Sequence, residues 1–500
     1  MEPPPSDRRR MRLFWLPLAA TILLALAIRL PRSGELATHH DWLTSHTVLV
    51  TRIWQMTGLA ANHYSLVTNW PNPADLGIPH GDSSLTDSRG HTFFLSFPPL
   101  GFYVSYGLFQ LTGQRASILA LRLFMLLLAS LGAVALARAV GRAWGDKEDS
   151  WLPSLLAAGV FLLCPTSLVY FSTAFFPLTL SIPLWMGLVA EATRQPSPRP
   201  WAIALASFAL CYLDWLGYLA ALPLTWYWLR RRQVTLVASL LIPAGLALGI
   251  TLLTYSSIAG WDALWTSLRE RYLIRAGLSP ESPGGGVTEV ATYLNVLRNF
   301  LLGFAPLAIA FLWCGLGWVL GRAEGGHTRP PAATPPGAWT LLVWLAVPAA
   351  LDNILLLNHT ANHRYTLLKW APAMGLALAL LASARPCRRA RLDLACAALT
   401  ALLCGAVFWW IEFDAERGIP EIAEMVQYQA GLNRVLFLQR NRTMKIADPS
   451  LLLLAERNFH MVNSPAEAME KLRRLKGARG SYISIKSYRP LRIAHTPLDP

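Results

Sequence analysis

Apolar runs of the kind that cross a roughly 30 Å hydrocarbon core recur through the first 411 residues, at 13–30, 117–140, 152–172, 177–193, 200–212, 216–229, 234–256, 297–320, 338–357, 366–384 and 393–411, the run at 200–212 being short. A bilayer offers no water to unpaired backbone groups, so each run is predicted to be a helix. The expected fold class is therefore an all-α polytopic membrane protein of about eleven transmembrane helices. Composition agrees, because 54% of residues are hydrophobic and only 15% charged, against about 25% charged in soluble domains. Lys and Arg number 44 and Asp and Glu 29, a formal charge of +15. The positive-inside rule accounts for that excess, and nucleic acid is not an expected partner. Five of the six cysteines lie in apolar runs and Cys387 lies in a basic loop, so neither a disulfide nor a zinc framework is readable.

Arg8, Arg9, Arg10 and Arg12 precede the first run and mark an uncleaved helix with a cytoplasmic N-terminus. Alternating sides from there places Arg142, Lys147, Arg230 to Arg232, Arg388 and Arg389 inside, while the turns after residues 172 and 212 carry no Lys or Arg. This agreement requires 98–111 not to span. It reads as an interfacial helix on the outer face, opened by Pro98 and Pro99 and closed near Gly113. The membrane domain is thus 1–411, with outward loops at 31–116 and 257–296, and the C-terminal 412–500 also lies outside. In that last segment Ser464, Pro465 and Glu467 form a capping box with proline at the first helical position. Strand-like runs at 434–438 and 481–485 flank it, so a small soluble α/β domain is expected. The Gly- and Pro-rich stretch 323–337 reads as a cytoplasmic connector.

Ionisable residues at helix ends in a membrane protein need a reason. Arg122, Asp214, Asp352 and Lys369 are such residues, all toward the outer leaflet in this topology. The same side carries His39, His40, Asp41 and His46 after the first helix, and the turn 358–365 with His359, His363 and Arg364. A carboxylate flanked by imidazoles serves as a general base or a metal ligand. His39 and His40 are the candidates for a divalent metal, and His359 and His363 would share one face if their turn were helical. Without an adjacent glutamate the zinc motif is weak, and these side chains are also readable as phosphate-binding or water-facing groups. No cofactor is implied with certainty.

The stretches HHDWLTSHTVLVTRIW, SFPPLGFYVSYGLFQLTG, LALRLFMLLL, VYFSTAFFPLTLSIPLW, LDWLGYLAALPL and HRYTLLKWAPAMGLAL together resemble the GT-C superfamily of membrane glycosyltransferases. The branch they resemble contains the protein O-mannosyltransferases and the lipid A aminoarabinose transferase, and the likeness covers most of 13–411. The resemblance implies transfer of a sugar from a polyprenyl-phosphate donor to a hydroxyl or amine of a lipid, glycan or protein acceptor on the outer face. Inversion, and independence of nucleotide sugars, are part of that implication. The family's catalytic carboxylate corresponds to Asp41, and the arginine opening its second helix to Arg122. Its donor-phosphate groups correspond to His359, His363, Arg364 and Lys369. The chain departs from the family at Ser96 and Phe97, where relatives often place an acidic and a basic residue, and at Ser172, Thr173 and Ala174, where many place an acid. These departures tell against a metal held by two acidic motifs.

Read from the residues themselves, Asp41 would take the proton of an attacking acceptor hydroxyl. Arg364 with Lys369, or Arg271 with Arg275, would stabilise the departing lipid phosphate. The expected location is a bacterial inner membrane with the active site outside, or the ER membrane in a eukaryote. A lipid-linked sugar flippase and a non-catalytic assembly factor remain the alternatives.

Overall fold

The computed structural model describes residues 5–30, 40–72, 85–145, 151–279, 287–323, 336–383, 419–429, 434–440, 448–475, 478–488 and 491–499. The chain divides into two compact units, one of Met1–Gly34, Arg122–Gly249 and Tyr272–Glu412, the other of Glu35–Leu121, Ile250–Arg271 and Phe413–Pro500.

The predicted apolar runs as far as 384 fall on helices: Pro5–Arg29, Ile118–Ala143, Trp151–Leu163 with Pro165–Thr173, Pro177–Ala192, Pro200–Cys211, Leu216–Arg230, Val234–Ala259, Val290–Ala323, Pro336–Leu355 and Ala371–Ser383. The run 393–411 and His39 lie outside the described residues. Among the described residues Ile118–Ala143, Val234–Ala259 and Gly337–Leu355 are each long and apolar enough to cross a membrane, and the bent pair 151–173 is a fourth. Pro177–Ala192 and Pro200–Cys211 are shorter apolar helices. The 12 residues of Pro200–Cys211 rise about 18 Å, well short of the hydrocarbon core. Leu205, Ile242, Leu253 and Ile354 are each more than 60% exposed on these helices, a disposition that lipid solvates and water does not.

The expected single span at 152–172 is broken by 57° between Trp151–Leu163 and Pro165–Thr173. Pro165 has no N–H to continue the ladder, and its ring excludes the preceding carbonyls. Arg29 fills the gap: its Nη2 donates to the Leu162 carbonyl at 2.5 Å and the Ser167 carbonyl at 2.9 Å. Backbone oxygens freed by the proline are thereby paired in a place without water. The Ala371–Ser383 helix comes so close to Trp151–Leu163 that a Cβ on Gly375 would sit 2.6 Å from the Ala157 carbonyl, the small-residue contact membrane helices favour.

In the second unit the Trp42–Thr57 helix packs against the Leu100–Thr112 helix. The latter has Pro99 at its N-cap and ends in Gly113 at φ 64°, the proline and glycine that mark this helix in the sequence. A short hairpin pairs Leu85–Thr86 with Thr92–Phe93. Its turn is tied by Asp87, whose carboxylate accepts from the Arg89 and His91 backbone N–H groups, both at 2.9 Å, and faces His91 Nδ1 at 3.1 Å and His63 Nε2 at 3.5 Å. Burial alone would raise this carboxyl, but the backbone and side-chain bonds from His91, with help from Arg89, hold it below the usual carboxylate range. A group depressed in the folded state stabilises above its unfolded pKa of about 4 and loses that contribution as pH falls through its lower folded value. An acid titration of thermal stability is therefore expected to fall off below about pH 4 in the wild type, with a shallower fall in Asp87→Asn; equal slopes would count against this hairpin lock.

C-terminal to these, strands Arg434–Gln439, His460–Val462 and Arg479–Tyr488 are parallel, and Leu491–Leu498 adds antiparallel beside Arg479–Tyr488. Parallel neighbours need crossovers, supplied here by the Pro449–Ala455 and Pro465–Arg473 helices. The latter starts with Ser464 accepting from the Glu467 N–H at 3.2 Å and Pro465 in the first turn. Val435, Phe437, Val462, Ala468, Leu472 and Tyr482 form the local core. Pro449–Ala455 also packs on Trp42–Thr57. Ser450 bonds Ser45 at 3.0 Å, and the Asn458 side-chain amide clamps the Trp70 backbone from both ends, at 2.7 and 2.9 Å.

Candidate functional site

In the second unit, Asp41 is not a loop residue: it is the N-cap of the Trp42–Thr57 helix, and its carbonyl accepts from the Ser45 N–H at 3.1 Å. Leu43, Thr47, Val50 and Trp54 repeat at helical spacing and Gly58 closes the helix, a signal present in the sequence but masked by the polar cluster at its start. Asp41 is 3% exposed and His40 2%. His46 sits edge-on to Phe94 and Phe102, at 4.5 and 5.6 Å between ring centroids. Burial first, and the nearby Arg271 charge second, push its imidazole down to about 3, so His46 is neutral at physiological pH and contributes shape rather than charge. Arg271 donates to the Ser96 hydroxyl at 2.6 Å and lies over the Phe94 ring at 5.4 Å.

In the first unit the turn 358–365 is helical over Leu357–Asn362 and runs into a 3-10 helix at Arg364–Trp370. His359 and His363 do share a face, with ring centroids 4.5 Å apart. His359 Nε2 meets the Tyr365 hydroxyl at 3.3 Å. The turn is anchored from behind, since Asn299 donates to the Thr360 and Ala361 carbonyls at 3.0 and 2.9 Å and Asn358 donates to the Ile274 carbonyl at 2.9 Å. Arg364 is half-buried. Lys369 is fully buried and ion-paired with Asp352, so its charge is already balanced within the fold. Asp214 is also buried. One of its oxygens accepts from the Leu216 N–H at 2.8 Å, the other has no hydrogen-bond partner among the described residues, and the charges of Lys369 and Arg275 act on it. The sequence marks Asp214 and Asp352 as ionisable residues at helix ends and Arg275, beside Arg271, as a candidate phosphate-binding cation; their grouping with Lys369 is a product of tertiary structure. Arg122 is fully buried and donates to the Thr173 carbonyl at 3.1 Å.

Among the described residues no three His, Cys, Asp or Glu side chains are placed to hold a metal ion, and His40 and Asp41 are not joined there by a third such group. The arrangement offers two kinds of chemistry: a buried carboxylate at a helix start, and a turn of imidazole and guanidinium groups suited to an anion.

No family model matches the chain, and no curated protein does. Solved structures do. ArnT from Cupriavidus metallidurans in the apo state is similar at TM-score 0.55 and 14% identity, over 94% of this chain and 93% of that one. The same protein bound to undecaprenyl phosphate is similar at TM-score 0.54 and 13% identity, with the same coverage. The archaeal oligosaccharyltransferase AglB from Archaeoglobus fulgidus, in complex with an inhibitory peptide and a dolichol-phosphate, is similar at TM-score 0.54 and 9% identity, over 95% of this chain and 69% of that one. With likenesses that run along nearly its whole length, the chain shares the fold of these two proteins.

Proposed function

We propose that this protein is an integral membrane glycosyltransferase that moves a sugar from a polyprenyl-phosphate donor to an acceptor on the outer face. The observation that carries the reading is the shared fold with two transferases, one solved with undecaprenyl phosphate and one with dolichol-phosphate. In this reading Asp41 is the general base. The His359, His363 and Arg364 turn faces the donor phosphate, Lys369 with Asp352 and Arg122 with Thr173 brace the helices, and Arg271 orders the segment around Ser96. The phosphate leaves with the bonding electron pair of the anomeric C–O bond, and the acceptor proton goes to Asp41.

Membranes containing the protein, supplied with radiolabelled polyprenyl-phosphate sugars, are expected to release the lipid phosphate and label an acceptor. A flippase would move label across the bilayer with the sugar–phosphate bond intact, and an assembly factor would do neither. Arg364→Ala is expected to weaken donor binding by roughly 10- to 100-fold, because a charge-assisted hydrogen bond is worth about 1.5–3 kcal/mol. Unchanged affinity would assign the turn to structure.

Orientation belongs to the same proposal, since residues 412–500 and the segment carrying Asp41 are read as lying on one non-cytoplasmic side. Ala466→Cys tests it, being exposed and sparing the Ser464 cap. This cysteine is expected to react with an impermeant maleimide in intact cells, and labelling that requires permeabilisation would reverse the topology.

A further inference from the structure

Within the second unit, the ends of the Trp42–Thr57 and Leu100–Thr112 helices and the residues just beyond them enclose a cleft of about 330 Å³. Two guanidiniums, Arg52 and Arg115, and the glutamines Gln55, Gln110 and Gln114 line it, with apolar surface from Phe109 and Met56. One carboxylate serves both cations, as Glu456 Oε1 lies 3.2 Å from Arg52 Nη1 and 2.5 Å from Arg115 Nη2. Among the described residues, two like charges thus share a single counter-charge. Arg52 is fixed by donation from its Nε to the Ala116 carbonyl at 3.1 Å. It is pulled below the ordinary guanidinium range by burial and then by the Arg115 charge, with Glu456 opposing. Gln55 is used up on the Gln114 carbonyl at 2.9 Å and the Ala116 N–H at 3.1 Å, whereas Gln110 and Gln114 are exposed.

Glu456 reaches this fork from a backbone φ of 51°, a left-handed conformation uncommon for any residue but glycine. It follows the Pro449–Ala455 helix, the element that packs on Trp42–Thr57. A carboxylate offered from a disfavoured backbone to a pair of arginines with charge to spare has the chemistry of an internal anion in an external anion's place. A phosphomonoester carries about 1.5–2 negative charges at neutral pH and three acceptor oxygens. It matches two guanidinium forks better than one carboxylate does.

We propose that this cleft binds a phosphomonoester head group, with Arg52 and Arg115 on the phosphate oxygens, Gln110 and Gln114 on neighbouring hydroxyls, and Glu456 as the group the ligand displaces. The site shares no residue with the transfer machinery proposed above and stands whether or not that reading does. The test is calorimetric titration of the full-length protein in phosphatidylcholine nanodiscs with sn-glycerol 3-phosphate and, separately, dioctanoyl phosphatidic acid. Binding of both indicates a soluble phosphorylated ligand, and binding of phosphatidic acid alone indicates a lipid head group; either supports the site. Affinity is expected to fall at least tenfold in Arg52→Ala/Arg115→Ala and to rise severalfold in Glu456→Gln, with the unfolding temperatures of both variants near wild type. Failure of both ligands to bind, or a Glu456→Gln variant that binds no more tightly than wild type, overturns the proposal.

Discussion

Replacing Asp41 by asparagine is expected to lower sugar transfer by at least about 100-fold, the lower end of what a positioned general base contributes. Asparagine keeps the size and most of the hydrogen bonding of the side chain but can neither accept the acceptor's proton nor carry charge. Because Asp41 is 3% exposed at the start of a helix, its substitution also removes a negative charge from the positive end of the helix dipole, worth about 0.3–1 kcal/mol. The purified variant is therefore expected to unfold slightly earlier than wild type while remaining folded at assay temperature. Asp41→Glu is expected to retain partial activity, since proton transfer depends steeply on carboxylate placement. Single-turnover transfer from a labelled polyprenyl-phosphate sugar, measured beside thermal unfolding, separates the two effects. A wild-type rate in folded Asp41→Asn protein ends the assignment.

Lys369→Met is expected to destabilise the protein by about 3–5 kcal/mol, the effect of removing one partner of a buried ion pair. The Lys369 side chain is 0% exposed and that of Asp352 11%, so the aspartate left behind would be a nearly dry, unbalanced charge. Lys369→Met/Asp352→Leu is expected to recover most of the loss, because apolar groups of similar volume replace a buried pair at little net cost. Unfolding midpoints in detergent for the two single variants and the double variant close the cycle. If the double variant were no more stable than Lys369→Met, Lys369 would answer to some group other than Asp352, and a direct part in holding the donor phosphate would become the better reading.

Much of the helical architecture is legible in the sequence because bilayer physics leaves little choice. An apolar run must be a helix, so the boundaries near 118, 177, 234 and 336 follow from hydrophobicity and proline placement, and those of 100–112 from Pro99 and Gly113. The capping box at Ser464 is equally local, a matter of side chains three residues apart. Asp41, His359, His363 and Arg364 stand out as chemistry-bearing groups on the same grounds, as polar residues clustered beside apolar runs.

What tertiary structure decided is which of those groups meet and which are already committed. No spacing rule relates Lys369 to Asp352, 17 positions apart, or Arg29 to the carbonyls of a proline break more than 130 residues away. Such pairings depend on how helices pack, and helix packing is set by small residues such as Gly375 whose role is invisible until a neighbour's backbone arrives. The Trp42–Thr57 helix was hidden because its buried face carries Thr44, Ser45, Thr47 and Thr51 among the apolar residues, polar groups that look solvent-facing in sequence. They become interior only when the Pro449–Ala455 and Leu100–Thr112 helices close over them. The neutrality of His46 has the same origin, since an isolated histidine titrates near 6.5, and burial among Phe94 and Phe102, followed by the nearby Arg271 charge, removes its charge.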